Sequence, residues 1–153
     1  LKNNSEIKIE ESVEKILKKE EDFGLEEIST YLEFQNKVEK SKKSIQEFFT
    51  NSKKQGKKIV CYGAAAKGNT VLNYCGITKD EINYVVDISP HKQGKFLPGT
   101  HIPIYSPDKI KDTKPDYIII LAWNLKDEII KQMKFVENWN GKFVVLIPEV
   151  KIL

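Results

Sequence analysis

Along the first third of the chain, apolar positions recur at helical spacing in a background of lysine and glutamate, and no strand-like alternation interrupts them. From Lys2 to Gly56 the pattern therefore predicts helix. Val13, Ile16 and Leu17 form a short apolar stripe that ends at Phe23-Gly24, where glycine can take the left-handed conformation that closes a helix. Tyr31, Phe34, Val38, Ile45, Phe48 and Phe49 follow at steps of three, four and seven, which puts them on one face of a second, long helix reaching about Thr50. Such a face needs a cover, and the expected cover is the sheet that follows.

From Lys57 the period changes. Strand-like segments at Ile59 to Tyr62, Ile82 to Asp87, Ile102 to Tyr105, Asp116 to Ala122 and Lys142 to Ile147 alternate with helical ones. The helical ones are Asn69 to Cys75, a brief turn begun by Ser106-Pro107-Asp108, and Leu125 to Trp139. Ile118 to Leu121 is apolar throughout, as a central strand buried on both faces must be. The alternation predicts an α/β fold: a Rossmann-like, doubly wound, mainly parallel sheet of order near 3-2-1-4-5, preceded by two helices. Residues 1–56 form a helical linker region packing on the sheet, and residues 57–153 the Rossmann-like domain. A ligand crevice is expected at the carboxyl ends of the strands, between the first and the fourth.

Composition narrows the class. At 153 residues and 17.6 kDa the chain fits one ordinary domain with an added helical element. It is 40% hydrophobic and 31% charged, with no secretory signal and no apolar run near the ~18 residues a membrane span requires, so a cytoplasmic protein is expected. The net charge of +3 comes from scattered lysines, not from a basic block interleaved with aromatics, so neither nucleic acid nor a membrane is an expected partner. Cys61 and Cys75 lack metal-ligand spacing and read as buried thiols; no metal site is expected. His91 and His101 have no readable nucleophile partner. The chain opens at Leu1, and reads as a piece of a longer polypeptide.

The candidate chemistry sits where the first strand breaks at Gly63. An apolar run stops at a glycine and re-enters helix through small residues, which brings unpaired N–H groups and the positive end of a helix dipole to one place. Gly63 and Gly68 match the outer glycines of the dinucleotide fingerprint, but Ala65 stands at the middle one. The P-loop glycine spacing fits, but Asn69 stands where its lysine belongs and Lys67 precedes the second glycine, and this removes nucleoside triphosphate hydrolysis. Lys67 in a first helical turn opposes the dipole, so it reads either as the partner of a bound anion or as a solvated surface lysine.

The other strand ends add polar groups to the same rim. Asp87 stands where an acid accepts ribose hydroxyls, or else caps its own turn through Ser89-Pro90. The segment from His91 to Thr100 is long and cationic; Lys92 can meet a phosphate, and Gln93 and Thr100 can bond a polar ligand, or the segment simply wraps the sheet edge. Trp123 and Asn124 suit stacking and edge bonding to a sugar or base, although the favoured role for Asn124 is to cap the helix that follows. No paired carboxylates or nucleophile–base pair can be read, so a binding platform is expected before a catalyst.

In order, Tyr62-Gly-Ala-Ala-Ala-Lys-Gly-Asn-Thr-Val-Leu-Asn73, Tyr84-Val-Val-Asp87, Pro90-His-Lys-Gln-Gly94, Leu97-Pro-Gly-Thr-His-Ile-Pro-Ile104, Asp116-Tyr-Ile-Ile-Ile-Leu-Ala-Trp-Asn124 and Gly141-Lys-Phe143 resemble the C-terminal domain of the sugar C-methyltransferases. Glu20 to Val38 is similar to that family's linker into the domain. The resemblance implies a preceding zinc-binding portion and a middle domain that binds S-adenosylmethionine and supplies the acid–base groups. The whole enzyme would methylate a carbon beside the keto group of a nucleotide-linked deoxysugar. It implies no catalytic residue, zinc ligand or cofactor in this chain, which alone would be inactive.

The resemblance implies nucleotide-sugar contacts for Lys67, Asn69, Asn73, Asp87, Lys92, Gln93 and Gly94, and the strand ends add Gly63, Gly68, His91, Trp123 and Asn124. The expected partners are the nucleotide sugar and the preceding methyltransferase domain. Two other readings stand beside this one: an NAD-type nucleotide-binding domain of an oxidoreductase, and a structural scaffold with no ligand of its own.

Overall fold

A computed structural model describes residues 10–153, and the helical pattern expected for residues 2–9 lies outside them. The chain divides between Glu39 and Lys40 into two units. The first contains helix α1 (Glu11–Phe23) and the opening turns of helix α2 (Ile28–Lys54). Gly24 closes α1 in the left-handed conformation at φ 77, its N–H bonding back to the carbonyls of Glu20 and Glu21. The hydroxyl of Tyr31 donates to the carbonyl of Leu25 at 2.6 Å and fixes the turn between the helices.

The second unit is built on a six-stranded sheet of order β3-β2-β1-β4-β5-β6. Its strands are β1 (Ile59–Tyr62), β2 (Val85–Val86), β3 (Ile104–Tyr105), β4 (Tyr117–Ile120), β5 (Lys142–Val145) and β6 (Lys151–Ile152). The first five run parallel, and β6 adds an antiparallel edge that the sequence pattern does not foretell. This is the Rossmann-like arrangement expected, extended by one strand.

Alternation along each strand divides the core into two layers. Ile59, Cys61, Ile119, Leu121 and Val144 pack with Ile45 and Phe49 of α2 and with Leu72 and Cys75 of helix α3 (Ala66–Cys75). Val60, Tyr62, Ile118, Ile120 and Phe143 face the opposite layer. That layer holds Ile110 of helix α4 (Lys109–Thr113), Ile129 of helix α5 (Lys126–Gln132), and Met133 and Val136 beyond it. Gln46 bonds the carbonyl of Cys75, and the Phe48 ring meets Phe49 and Tyr117 edge-on, so the last four turns of α2 are locked to this unit.

Three expectations need correction. The aromatic stripe of α2 is covered at Ile45 and Phe49, whereas Tyr31 is 58% and Phe34 65% exposed, because periodicity says which positions share a face and not what lies over it. Helix α3 begins at Ala66, three residues before the expected Asn69, since alanines directly after the turn carry helix well. The single helix expected from Leu125 to Trp139 is three pieces: a 3₁₀ turn over Trp123–Leu125, then α5, then a second 3₁₀ stretch over Lys134–Trp139. At three residues per turn, Val136 and Trp139 align in one row. Val136 enters the core, and the Trp139 ring nitrogen donates to the carbonyl of Pro115 at 3.0 Å.

Candidate functional site

Because β1, β2, β4 and β5 are parallel, their carboxyl ends share one edge, and the segments after them assemble there. Gly63 leaves β1 at φ 90, a conformation that a side chain would strain, and its N–H donates to the carbonyl of Val86 at 2.7 Å. A β-carbon on Gly63 would also come within 3.4 Å of that of Ala122. Gly68, in the first turn of α3, lies against β4: an added β-carbon would sit 2.5 Å from the Leu121 β-carbon. This glycine sets how closely helix and strand approach. Between them, Ala65 precedes the helix without any capping side chain, so the first-turn N–H groups meet the rim uncapped.

On the β2 side, the turn is tied down by Asp87, which is 7% exposed. One carboxylate oxygen accepts from the Ser89 N–H at 2.8 Å, the turn cap that the sequence allows. The other accepts from the Ala64 N–H at 2.7 Å and from the Lys92 ammonium at 3.0 Å. Lys92 also donates to the carbonyl of Ala64 at 3.0 Å, and Gln93 donates to the carbonyl of Asp87 at 2.9 Å. Gly94, at φ 77, donates to Ile104 and leads the segment into β3. Both polar ends of the Ala64 peptide are thus used, a role that no spacing rule would have assigned to an alanine.

On the β4 side, Lys67 lies over the Trp123 ring, 4.6 Å from its centre, and donates to the side-chain oxygen of Asn124. This corrects the capping role favoured for Asn124. The chain passes through a 3₁₀ turn before α5, the residue preceding that helix is Leu125, and no side chain caps either element. Asn124 instead receives the cation from across the crevice between β1 and β4.

The remaining candidates are farther from the turn. Asn73 donates to Asn69 and, at 3.1 Å, to the carbonyl of Pro98, and so staples the 91–100 segment to α3. Leu97 is buried at 3% exposure, whereas His91 is exposed and joins none of these contacts. Thr100 is buried with its hydroxyl unpartnered. Burial, then the charges of Asp87 and Glu128, hold the Tyr62 phenol above its ordinary range, and burial pushes the Cys61 and Cys75 thiols up, Lys42 partly opposing it at Cys75. Both thiols are therefore poor nucleophiles.

Among the described residues no cluster of three His, Cys, Asp or Glu could hold a metal ion, and no helix is long and apolar enough to cross a membrane. A hollow lined by Lys53, Lys57, Lys79 and Glu81 opens at the amino edge of the sheet, where Lys53 pairs with Glu81 and Lys57 with Asp116.

Residues 1–148, the glycine turn and both its polar flanks among them, match the family model of the C-methyltransferase C-terminal domain. This chain belongs to that family. The C-methyltransferase NovU of Streptomyces niveus is 39% identical over 143 residues, 93% of this chain. The chain spans 34% of the length of that relative. A solved structure, the UDP-D-quinovosamine 4-dehydrogenase of Vibrio fischeri, is 18% identical, with a TM-score of 0.46 over 63% of this chain and 93% of that one. A likeness at that level bears on no ligand and no chemistry.

Proposed function

We propose that this C-methyltransferase C-terminal domain holds a nucleotide-linked keto-deoxysugar for a cytoplasmic methyltransferase, whose S-adenosylmethionine site and acid–base groups lie in a preceding domain of the same polypeptide. The observation that carries the reading is the Lys67–Trp123–Asn124 group beside the uncapped start of α3. A diphosphate is attracted by first-turn N–H groups and by a nearby ammonium, and a sugar or base by an indole face and an amide. Lys67 gives up little in turning to a phosphate, because a cation–ring contact between two half-buried side chains is worth about 1 kcal/mol.

S-adenosylmethionine and NAD fit this crevice poorly. Both need a carboxylate free for ribose hydroxyls, and Asp87 is buried with three donors already on it. NAD also needs close backbone approach by its diphosphate, and Ala65 puts a methyl where the fingerprint has glycine. In this reading Asp87, Lys92, Gln93 and Gly94 shape the turn, while Gly63, Lys67, Gly68, Asn69, Trp123 and Asn124 meet or admit the ligand, and the isolated chain transfers no methyl group.

Calorimetric titration of the chain with uridine or thymidine diphosphate tests it. Binding that Lys67→Ala weakens about tenfold, or 1.4 kcal/mol, is the expected result. No binding by the chain, together with an unchanged KM for the sugar nucleotide in the complete enzyme carrying Lys67→Ala, overturns it and leaves the scaffold role.

A further inference from the structure

The unit ending at Glu39 has no buried residue among those described. Val13, Ile16 and Leu17 on α1 are 44%, 56% and 57% exposed, and Ile28, Tyr31 and Leu32 at the start of α2 are 77%, 58% and 60% exposed. Each set repeats the same spacing of three and one, which confines it to about a third of its helix's circumference. Among the described residues, most of the exposed large apolar side chains lie between Val13 and Phe34. Isolated helices as short as the 13 residues of α1 are marginal in water, so the α1 face is stable helix only when covered.

We infer that the apolar faces of α1 and of α2 up to Leu32 dock against the methyltransferase domain of the same polypeptide. This rests on the reading above that such a domain precedes the chain. Two findings select that occupant over a second copy. The matched family is by description a C-terminal domain, and the chain spans 34% of its relative's length, so that protein has ample chain to supply a covering surface. A tethered domain is present at an effective concentration near ~1 mM, far above that of a second copy at ordinary protein concentrations. The turn joining the helices is also fixed in advance, by the Gly24 cap and by the Tyr31–Leu25 hydrogen bond, which lowers the ordering cost of docking.

Hydrogen exchange read by mass spectrometry, on the 153-residue chain and on the complete polypeptide, tests the inference. Amides of 11–34 should exchange at least about 100-fold more slowly in the complete polypeptide than in the chain. Leu17→Lys with Leu32→Lys should abolish that difference while β1 and β4 keep their protection, which controls for folding. Equal exchange in the two proteins overturns the inference. So does protection in the chain that rises with its concentration while sedimentation reports a dimer, since a second copy is then the cover. Assay of methyl transfer from S-adenosylmethionine to a nucleotide-linked keto-sugar by the same complete polypeptide separates the two levels. Transfer without protection removes the docking surface alone, and protection without transfer removes the functional reading alone.

Discussion

On the β2 flank of the glycine turn a lysine meets a carboxylate whose side chain is 9% exposed and which already holds two backbone N–H groups. On the β4 flank a lysine rests on an exposed amide and on one face of a partly buried indole. The groups are similar and their energetics are not. A carboxylate out of water is costly unless its oxygens are bonded, so the network around Asp87 is stable as a whole and resists the loss of any member. The contacts of Lys67 are screened by solvent and each is weak, so they can be exchanged for a ligand. Burial therefore decides which flank builds the turn and which is free to bind.

The largest effect is expected from Asp87→Ala, which strands the Ala64 and Ser89 N–H groups and the Lys92 ammonium. Its cost should be about 3 kcal/mol in a urea titration, with Lys92→Ala costing less because that side chain is 45% exposed. An Asp87→Ala protein of unchanged stability that has lost nucleotide binding would reverse the comparison. Next is Gly68→Ala, whose new methyl meets the Leu121 β-carbon at 2.5 Å and pushes helix from strand. About 2 kcal/mol of destabilisation is expected, and Leu121→Gly in the same chain, which removes that β-carbon, should recover part of it as a non-additive term. Full additivity in that double-mutant cycle would mean that the two residues do not compete for one space.

The strand order was readable because the chemistry that makes a parallel sheet is local: Ile118 to Leu121 is apolar at every position, and helical segments alternate with it. Strand β6 was not, since Lys151-Ile152 is too short to show a period and gains its place by pairing with Val144 and Val145. Gly63 and Gly68 stood out by spacing, yet the reason for Gly68 is Leu121, more than fifty residues away. Of the two roles offered for Asp87 the geometry shows the turn cap, and beside it one that was not offered: the same carboxylate holds Ala64. Asn124 was misread because a 3₁₀ entry moves the start of α5 past it. For Gly68 and for the Asp87–Ala64 bond the missing information was a distant partner, which periodicity cannot supply.

On the other flank, Lys67→Ala should leave stability within about 1 kcal/mol of the parent, the loss of one surface cation–ring contact and one exposed hydrogen bond. The same substitution should weaken a nucleoside diphosphate about tenfold. Thermal melting and calorimetry on one preparation separate the two quantities. A drop in stability as large as that of Asp87→Ala would show that both flanks are structural, and the division by burial would fail.

The smallest effect sharpens the role of burial by keeping the chemistry and removing the desolvation. Asp116 also takes a backbone N–H, from Lys58 at 2.8 Å, and a lysine, Lys57 at 3.1 Å, but its side chain is 39% exposed. The Lys58 N–H, against some opposing burial and with the help of Lys57, holds its carboxyl below the ordinary 3.8. A carboxyl lowered in the folded state stabilises the fold above its unfolded pKa, and that contribution disappears as pH falls through the folded value. Asp116→Asn should therefore cost about 0.5 kcal/mol near neutral pH after allowance for solvent screening, and nothing once the pH has fallen below the folded-state value. Urea midpoints of parent and variant that converge on acidification would match this sign. A gap at neutral pH as wide as that of Asp87→Ala would mean that hydrogen-bond partners, and not burial, set the difference between the two flanks.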